Sequence, residues 1–375
     1  MALGHQPSGL HRGQSAADGV KRLILGAAVA LVAATPAHAQ VDGNTMRAHF
    51  INVGQGDATL LEFSCGVVMI DAGGESDRDT SALVDYLRGV FADRPELHDT
   101  IRAVFITHNH VDHTRGLDAV VDHFHVPRLI ENGRRGGQYD PGDVALRRLA
   151  TDPRRPSTWL DVNEYDVAQT EDGLTGPDID PVECPGTNPA ITILSADYDQ
   201  NPGWPAAAYA DKNNGSLVIR VDFGQASFLF TGDLETEAIA TLLQNYANST
   251  ALDVDVVHVG HHGSYNGTTS ALLAAIVRPE IAVISMSRCD DHGPRSGWTY
   301  GHPRKDAVDL LRAAITRRRT TRQVYVATAV KQFSETTMRD AIYATGWDGS
   351  ITVTATAAGT YITRTEGGPV PACGP

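Results

Sequence analysis

Past residue 40 the chain has no apolar run long enough to cross a bilayer, no pair of cysteines at CxxC spacing, and no histidine from 126 to 257. The first absence excludes a membrane-spanning helix in that part, because a span needs roughly 20 apolar residues. The second excludes a zinc ribbon. It leaves Cys65, Cys184, Cys289 and Cys373 free to form up to two disulfides, with three possible pairings. Cations are also short: 31 Lys and Arg face 45 Asp and Glu, a net charge of −14. Such a surface repels polyanions and disfavours an extended nucleic-acid substrate. The two local basic runs, Arg147, Arg148, Arg154 and Arg155, and Arg317, Arg318, Arg319 and Arg322, read as solvated ends of helices and loops. No repeat at solenoid periods interrupts the chain.

The one apolar stretch that stands apart lies near the start. Lys21 and Arg22 precede an alanine-rich run from Leu23 to Ala34, followed by Pro36 and Ala37-His38-Ala39. Basic flank, short apolar run and small-x-small ending are the marks of a secretory signal peptide cut after Ala39. Loss of residues 1–39 removes Arg12, Lys21 and Arg22 against Asp18 alone, so −14 becomes −16. The expected mature chain is exported, with no stable membrane insertion, and its cysteines enter a compartment where disulfides persist.

The remaining 40–375 reads as one α/β domain. Three short strands before Asp71 form a meander, punctuated by Gly54, Gly56 and Gly66. Leu83, Val84, Leu87, Val90 and Phe91 have helical spacing. A β-branched run from Ile101 to Ile106 then ends at "THNHVDH". Residues 132–212, rich in proline and glycine, predict long loops with a short helix near 143–150 and a strand at 191–194. Beyond them strand and helix patterns alternate, with strands expected at 253–259, 281–285, 323–328, 351–356 and 360–364. A helix is expected from Pro303 to Ile315.

His108, His110, Asp112 and His113 occupy four of six positions at the end of an apolar strand. If the strand's period of two continues, His108, His110 and Asp112 project to one side. Imidazole nitrogen and carboxylate oxygen form the ligand set of a hydrolytic zinc, manganese or iron site. Without a cation such crowding is costly, because charged imidazoles repel one another. Asp233 in "FLFTGDLE", and His261 with His262 in "VVHVGHHGS", also stand where apolar β-runs end. Three strand ends of one sheet share an edge, a usual place for ligands.

The order HxHxDH, then TGD, then HHGS resembles the metallo-β-lactamase-fold hydrolases. More narrowly, "FINVGQGDATLLEF", "THNHVDHTRGL", "NNGSLVIRVDFGQASFLFTGDLE", "VDVVHVGHHGS" and "YGHP" resemble the hydrolase domain of ComEC-type competence proteins. The resemblance runs from about residue 46 to the C-terminus, with 132–212 adding little. It implies an αβ/βα four-layer sandwich in a single domain. It also implies that His108 and His110 bind one metal and Asp112 and His113 another, with Asp233 bridging. His261, in preference to His262, completes the second site. The cofactor is then one or two Zn2+ ions, with Mn2+ the alternative. The reaction is hydrolysis by a metal-activated water of a phosphodiester, in a small molecule or a polymer. Lactones, β-lactams or other carboxylic-acid derivatives are the alternative substrates, and a non-catalytic metal-binding module is the second alternative. Relatives commonly supply a further histidine before the TGD aspartate, and the gap from 126 to 257 puts the first metal in doubt.

Asp112 is expected to hold or deprotonate the water. His302 in "YGHP", with Pro303 at the first helical position, is expected at a positive helix end, donating a hydrogen bond or proton to an anionic group. The glycines beside Gln55 and Asp57 allow the backbone to approach closely, and Asp57 is placed to orient a ligating histidine. Asn213, Asn214 and Ser216 form a turn; His123, His125 and His258 are structural. Expression in a secreting host should release a protein whose first residue is Gln40; intact-mass analysis of the exported fraction checks this, and a mature chain retaining residues 1–39 would contradict it.

Overall fold

A meander opens the described chain, as the apolar runs before Asp71 predict: β1 (Thr45–Phe50), β2 (Ala58–Phe63) and β3 (Gly66–Ala72) pair antiparallel. The structure is a computed structural model that describes residues 41–136, 140–368 and 373. The expected signal peptide lies outside the described residues. Every residue of β2 and β3 is buried, the pattern of strands covered on both faces. Helix α1 (Asp77–Asp93) buries Leu83, Val84, Leu87 and Phe91 and returns the chain to β4 (Ile101–Ile106), parallel to β3. Two short helices, α2 (Val111–Thr114) and α3 (Leu117–His123), lead to β5 (Arg128–Glu131).

The stretch from 132 to 212 carries more regular structure than its composition predicts. The expected helix and strand are present as α4 (Pro141–Thr151) and β7 (Pro189–Ser195). A further strand, β6 (Thr158–Asp161), extends the sheet parallel to β5, and α5 (Glu164–Val167) and α6 (Ala206–Ala210) are single turns. Elements of four or five residues are too short to show a period.

From β7 the second sheet grows through β8 (Val218–Phe223) and β9 (Ala226–Phe230), both antiparallel. Helix α7 (Thr236–Asn245) then crosses to β10 (Val256–His258), and α8 (Ser270–Ala275) to β11 (Ile281–Ile284), each strand parallel to the last. After α9 (Gly297–Tyr300) comes α10, which spans Lys305–Ala314 rather than starting at Pro303. Its N-cap is Arg304, so His302 lies outside it, and the expectation of a helix-end histidine is corrected. The expected strand at 323–328 is the second half of a longer strand, β12 (Arg318–Ala329), which forms a hairpin with β13 (Gln332–Asp340). Finally β14 (Ile342–Ala344) adds to β11, while β15 (Ile351–Thr356) and β16 (Tyr361–Thr365) return to β1.

The strand orders are β16-β15-β1-β2-β3-β4-β5-β6 and β14-β11-β10-β9-β8-β7. One apolar core lies between α1, α3 and α4 and the outer face of the first sheet. The other fills the space between the sheets and continues under α7, α8 and α10. This is the four-layer αβ/βα sandwich, with β3–β4 and β9–β10 ending at a common edge. The cysteines pair Cys65 with Cys184 and Cys289 with Cys373, one of the three pairings open to them. Among the described residues no helix is long and apolar enough to cross a membrane.

The first basic run is paired at the surface, Arg148 with Asp118 and Arg154 with Asp122 and Asp152, and so are Arg317 with Glu280 and Arg318 with Asp340. Arg319, inside strand β12, is instead buried against Asp348, so the expectation of a solvated end is corrected there. Another buried ion-pair group lies on the first sheet. Glu62 on β2 is buried and meets Arg94, His49 at 3.0 Å and Arg47 at 3.2 Å. Burial alone would raise its pKa, yet the bond and charge of His49, with Arg47 and Arg94, hold it down to about 2. A depressed carboxylate contributes stability above its unfolded value, about 4.3, that is lost as pH falls through the folded one. Glu62→Gln should cost about 3 kcal/mol at pH 7. Chemical denaturation at several pH values checks this: the wild-type advantage should fade as pH drops from about 4.3 towards 2.

Candidate metal centre

Four strand ends deliver the site. Asp71 stands next to the end of β3 and the histidine loop follows β4 in the first sheet, whereas Asp233 follows β9 and the turn Gly260–Gly263 follows β10 in the second, so the expectation of one sheet's edge is corrected. The histidine loop does not continue the strand. β4 stops at Ile106, and Asp112 and His113 lie on the helical turn α2. The period-two placement of Asp112 beside His108 and His110 is therefore corrected: a helical turn sends Asp112 and His113 to the cluster. Two glycines let the loop come this close. A Cβ on Gly73 would stand 1.6 Å from the Asp112 carbonyl oxygen, and one on Gly56 2.6 Å from it. Asp57 N–H donates to that same oxygen at 3.0 Å.

Ligand atoms of Asp112, His113, Asp233 and His262 all lie within 4.8 Å of one another. His113 Nε2 is 3.3 Å from Asp233 Oδ2, and His262 Nε2 is 3.3 Å from Asp112 Oδ2 and 3.6 Å from Asp233 Oδ2. The structure thus brings His262, not the favoured His261, into the cluster. Both have left-handed backbone, φ +49° for His261 and +53° for His262, with Gly263 at +76°. Two successive non-glycine residues in that region are uncommon and costly. The turn sends the rings apart: His262 is buried, while His261 is part-exposed with Nδ1 3.4 Å from Glu235.

The far nitrogens fix which ring atoms face inward. His262 Nδ1 lies 2.8 Å from the Ser285 carbonyl oxygen, which can only accept, so the proton is on Nδ1. His113 Nδ1 is 2.8 Å from Asp71 Oδ2. His108 Nδ1 faces Ser216 Oγ at 3.3 Å, and that hydroxyl donates to the Asn213 carbonyl at 2.8 Å, so it accepts from the ring. All three Nε2 atoms therefore face the cluster, held as ligating histidines are held by partners on their other nitrogen. His108 Nε2 is 3.0 Å from His110 Nδ1 and 3.9 Å from Asp233 Oδ2, which joins this second group to the first.

Whether a cation suits these residues is answered by three buried atoms. His113 Nε2, His262 Nε2 and Asp233 Oδ1 have no hydrogen-bond partner, and orphaned buried polar groups are rare. The volume also demands positive charge. Burial lowers the pKa of His262, but Asp233, Asp57 and Asp112 outweigh it and raise the value to about 10. Burial likewise disfavours charge on Asp233, yet His113 and His262 hold its pKa well below the usual carboxylate range. At His108 burial, with the charges of His113 and His110, pushes the pKa well down. A divalent ion among Asp112, His113, Asp233 and His262 meets both demands.

Asp71 was not singled out in the sequence. It accepts from Thr107 N–H at 2.7 Å, the Thr107 hydroxyl at 2.8 Å and His113, so it orients both histidine-loop ends. Its one sequence signal is a carboxylate near the end of the apolar strand "GVVMIDA"; its positive φ, +56°, shows only in the structure. Asp57 stands behind the site, 3.9 Å from His113 Nδ1, 3.8 Å from His262 Nδ1 and 3.6 Å from His258 Nε2. Ser216 does more than turn the chain, since it also accepts from Asp233 N–H at 3.0 Å. His302 packs at the rim, 5.7 Å from the His261 ring and 6.1 Å from that of His262. Burial, with the charges of His262 and His261, pushes it down to about 3. His258 bonds Ser285 at 2.8 Å and His123 faces Arg88 at 3.4 Å, outside the cluster.

A model of the metallo-beta-lactamase superfamily matches residues 51–287, and the chain belongs to that superfamily. Within it the likeness is to competence proteins, in keeping with the ComEC-like motifs. The chain is 25% identical over 280 residues to ComE operon protein 3 of Bacillus subtilis, covering 70% of this chain and 30% of that one. It is 45% identical over 90 residues to Recombination protein 2 of Haemophilus influenzae, covering 24% and 10%. It thus spans under a third of these relatives' length. Among solved structures, the metallo-beta-lactamase fold protein YhfI of Bacillus subtilis aligns at a TM-score of 0.41 and 10% identity, over 86% of this chain and 100% of that one.

Elemental analysis after dialysis should separate the two histidines of the turn. His262→Ala and Asp233→Asn should each lower bound metal by about one equivalent, whereas His261→Ala should retain it; the reverse outcome would return the ligand role to His261.

Proposed function

We propose that the protein is an exported metal-dependent hydrolase of phosphodiester bonds. The observation that carries the reading is the convergence of three inward Nε2 atoms on two carboxylates, one of which, the buried Asp233, contacts both groups of histidines. Asp112, His113, Asp233 and His262 would hold one ion, with zinc favoured by the two imidazoles and manganese the alternative that the two carboxylates also suit. His108 and His110, with Asp233, offer a second position short of one histidine. A divalent ion supplies Lewis acidity there and acidifies a water to near neutral pH. Asp112 alone in the set keeps solvent contact, with a side chain 25% exposed, so it is the group placed to orient the attacking water and take its proton. His302 at the rim is the group placed to donate to the substrate.

Phosphodiesters are favoured over carboxylic-acid derivatives by the relatives, some of which are named for competence and recombination. The pairing of the surface arginines and the acidic net charge favour a small or tethered diester over a long duplex. Bis(p-nitrophenyl) phosphate, nitrocefin and a panel of lactones should be assayed side by side. Hydrolysis of the diester is expected, abolished by a chelator, restored by Zn2+ or Mn2+ and reduced by about a hundredfold or more in Asp112→Asn. Turnover of nitrocefin or a lactone with silence on the diester would overturn the reading, and silence on all three would favour a metal-binding module.

A further inference from the structure

The hydrogen bonds around Gln55 decide which nitrogen of His302 carries a proton. Gln55, on the loop between β1 and β2, is 1% exposed. Its amide oxygen accepts from Ser287 N–H at 3.1 Å, a group that can only donate, so the orientation of the amide is fixed. The amide nitrogen then faces His302 Nδ1 at 3.3 Å. An amide NH2 has no lone pair to offer. His302 Nδ1 must therefore be the acceptor, which makes the ring neutral with its proton on Nε2.

The surroundings hold this arrangement in place. Ser287 Oγ accepts from Gly297 N–H at 2.7 Å, and the Gly297 carbonyl accepts from His302 N–H at 2.8 Å. A Cβ on Gly297 would stand 3.0 Å from both Gln55 Oε1 and the His302 carbonyl oxygen, so the loop closes on the amide without room for another side chain. The His302 ring is packed against His261, His262 and, at 5.9 Å, Tyr300. Among the described residues no protein group accepts a hydrogen bond from its Nε2, which lies on the opposite edge of the ring from Gln55.

We propose that Gln55 is a positioning residue that locks His302 as an Nε2–H donor. His302 then gives a hydrogen bond to an oxygen of the bound substrate, and serves neither as a general base nor as the histidine missing from the first metal position. Both of those roles need a lone pair on Nε2, and the lock puts a proton there. The donor role rests on the hydrolytic reading above; the lock itself does not.

Two-bond proton–nitrogen correlation spectra of the zinc-loaded, 15N-histidine-labelled protein read the tautomer directly. The His302 signals are those missing in His302→Gln. A protonated Nε2 with a bare Nδ1 is expected; a bare or metal-shifted Nε2 in the wild-type protein would overturn the proposal. Gln55→Glu, whose carboxylate accepts from Nδ1–H, should reverse the pattern, and Gln55→Met should leave a mixture. On bis(p-nitrophenyl) phosphate, Gln55→Glu and His302→Ala should each lower kcat by about a hundredfold with KM within about threefold of wild type, and both should keep their bound metal. Loss of an equivalent of zinc in His302→Ala would show that it is a ligand and refute the lock. A wild-type protein inert towards the diester would refute the proposed reaction, while the tautomer would still stand or fall on the spectrum.

Discussion

Two carboxylates, the buried Asp233 and the part-exposed Asp112, are held against imidazole nitrogens whose own protons are committed elsewhere, to Ser285, Asp71 and Ser216. Burying that much unneutralised charge is among the most expensive things a fold can do. Much of the architecture near the edge can be read as what this requires. The sheets are tied together there: Leu217 N–H, at the start of β8, donates to the Thr107 carbonyl at the end of β4. Ser216 joins the Asp233 backbone to His108 across the same seam. The centre is thus assembled from both halves of the sandwich, and neither half holds a complete set.

The close approaches follow from the same demand. Gly56 and Gly73 let the backbone of α2 lie against the loop after β1, and Gly142 does the same for the far side of the histidine loop, where a Cβ would stand 1.7 Å from the Asn109 carbonyl oxygen. Left-handed backbone at Asp71, His261 and His262 points side chains where ordinary strand ends would not. Strain of this kind persists only where its surroundings over-determine it. The disulfide between Cys289 and Cys373 anchors the loop that leads to Gln55's partners, so the rim as well as the floor of the site is built on constrained chain.

Most of the framework was legible in the sequence because strands covered on both faces read as unbroken apolar runs, and each run that mattered ended in a histidine or an aspartate. Local geometry was less legible. Choosing between His261 and His262 depends on consecutive positive φ angles, which the string "GHHGS" does not reveal. Asp71 looks like any carboxylate at a strand end until Thr107 and His113 are seen to converge on it. The hairpin of β12 and β13 has a polar, charged sequence because much of it lies on the surface, so its alternation is faint. Helix α10 begins two residues later than proline chemistry suggests, because the chain stays extended through Arg304.

Asp112, His113, Asp233 and His262 are placed so that a divalent cation among them would meet all four. Anomalous diffraction from crystals of the zinc-loaded protein, recorded on either side of the zinc edge, tests it most directly. A difference peak enclosed by His113 Nε2, His262 Nε2 and the two carboxylates is the predicted result. A peak elsewhere, or one that takes His261 as its ligand and leaves His262 with its carboxylate partners alone, would show that these four groups are not the metal centre.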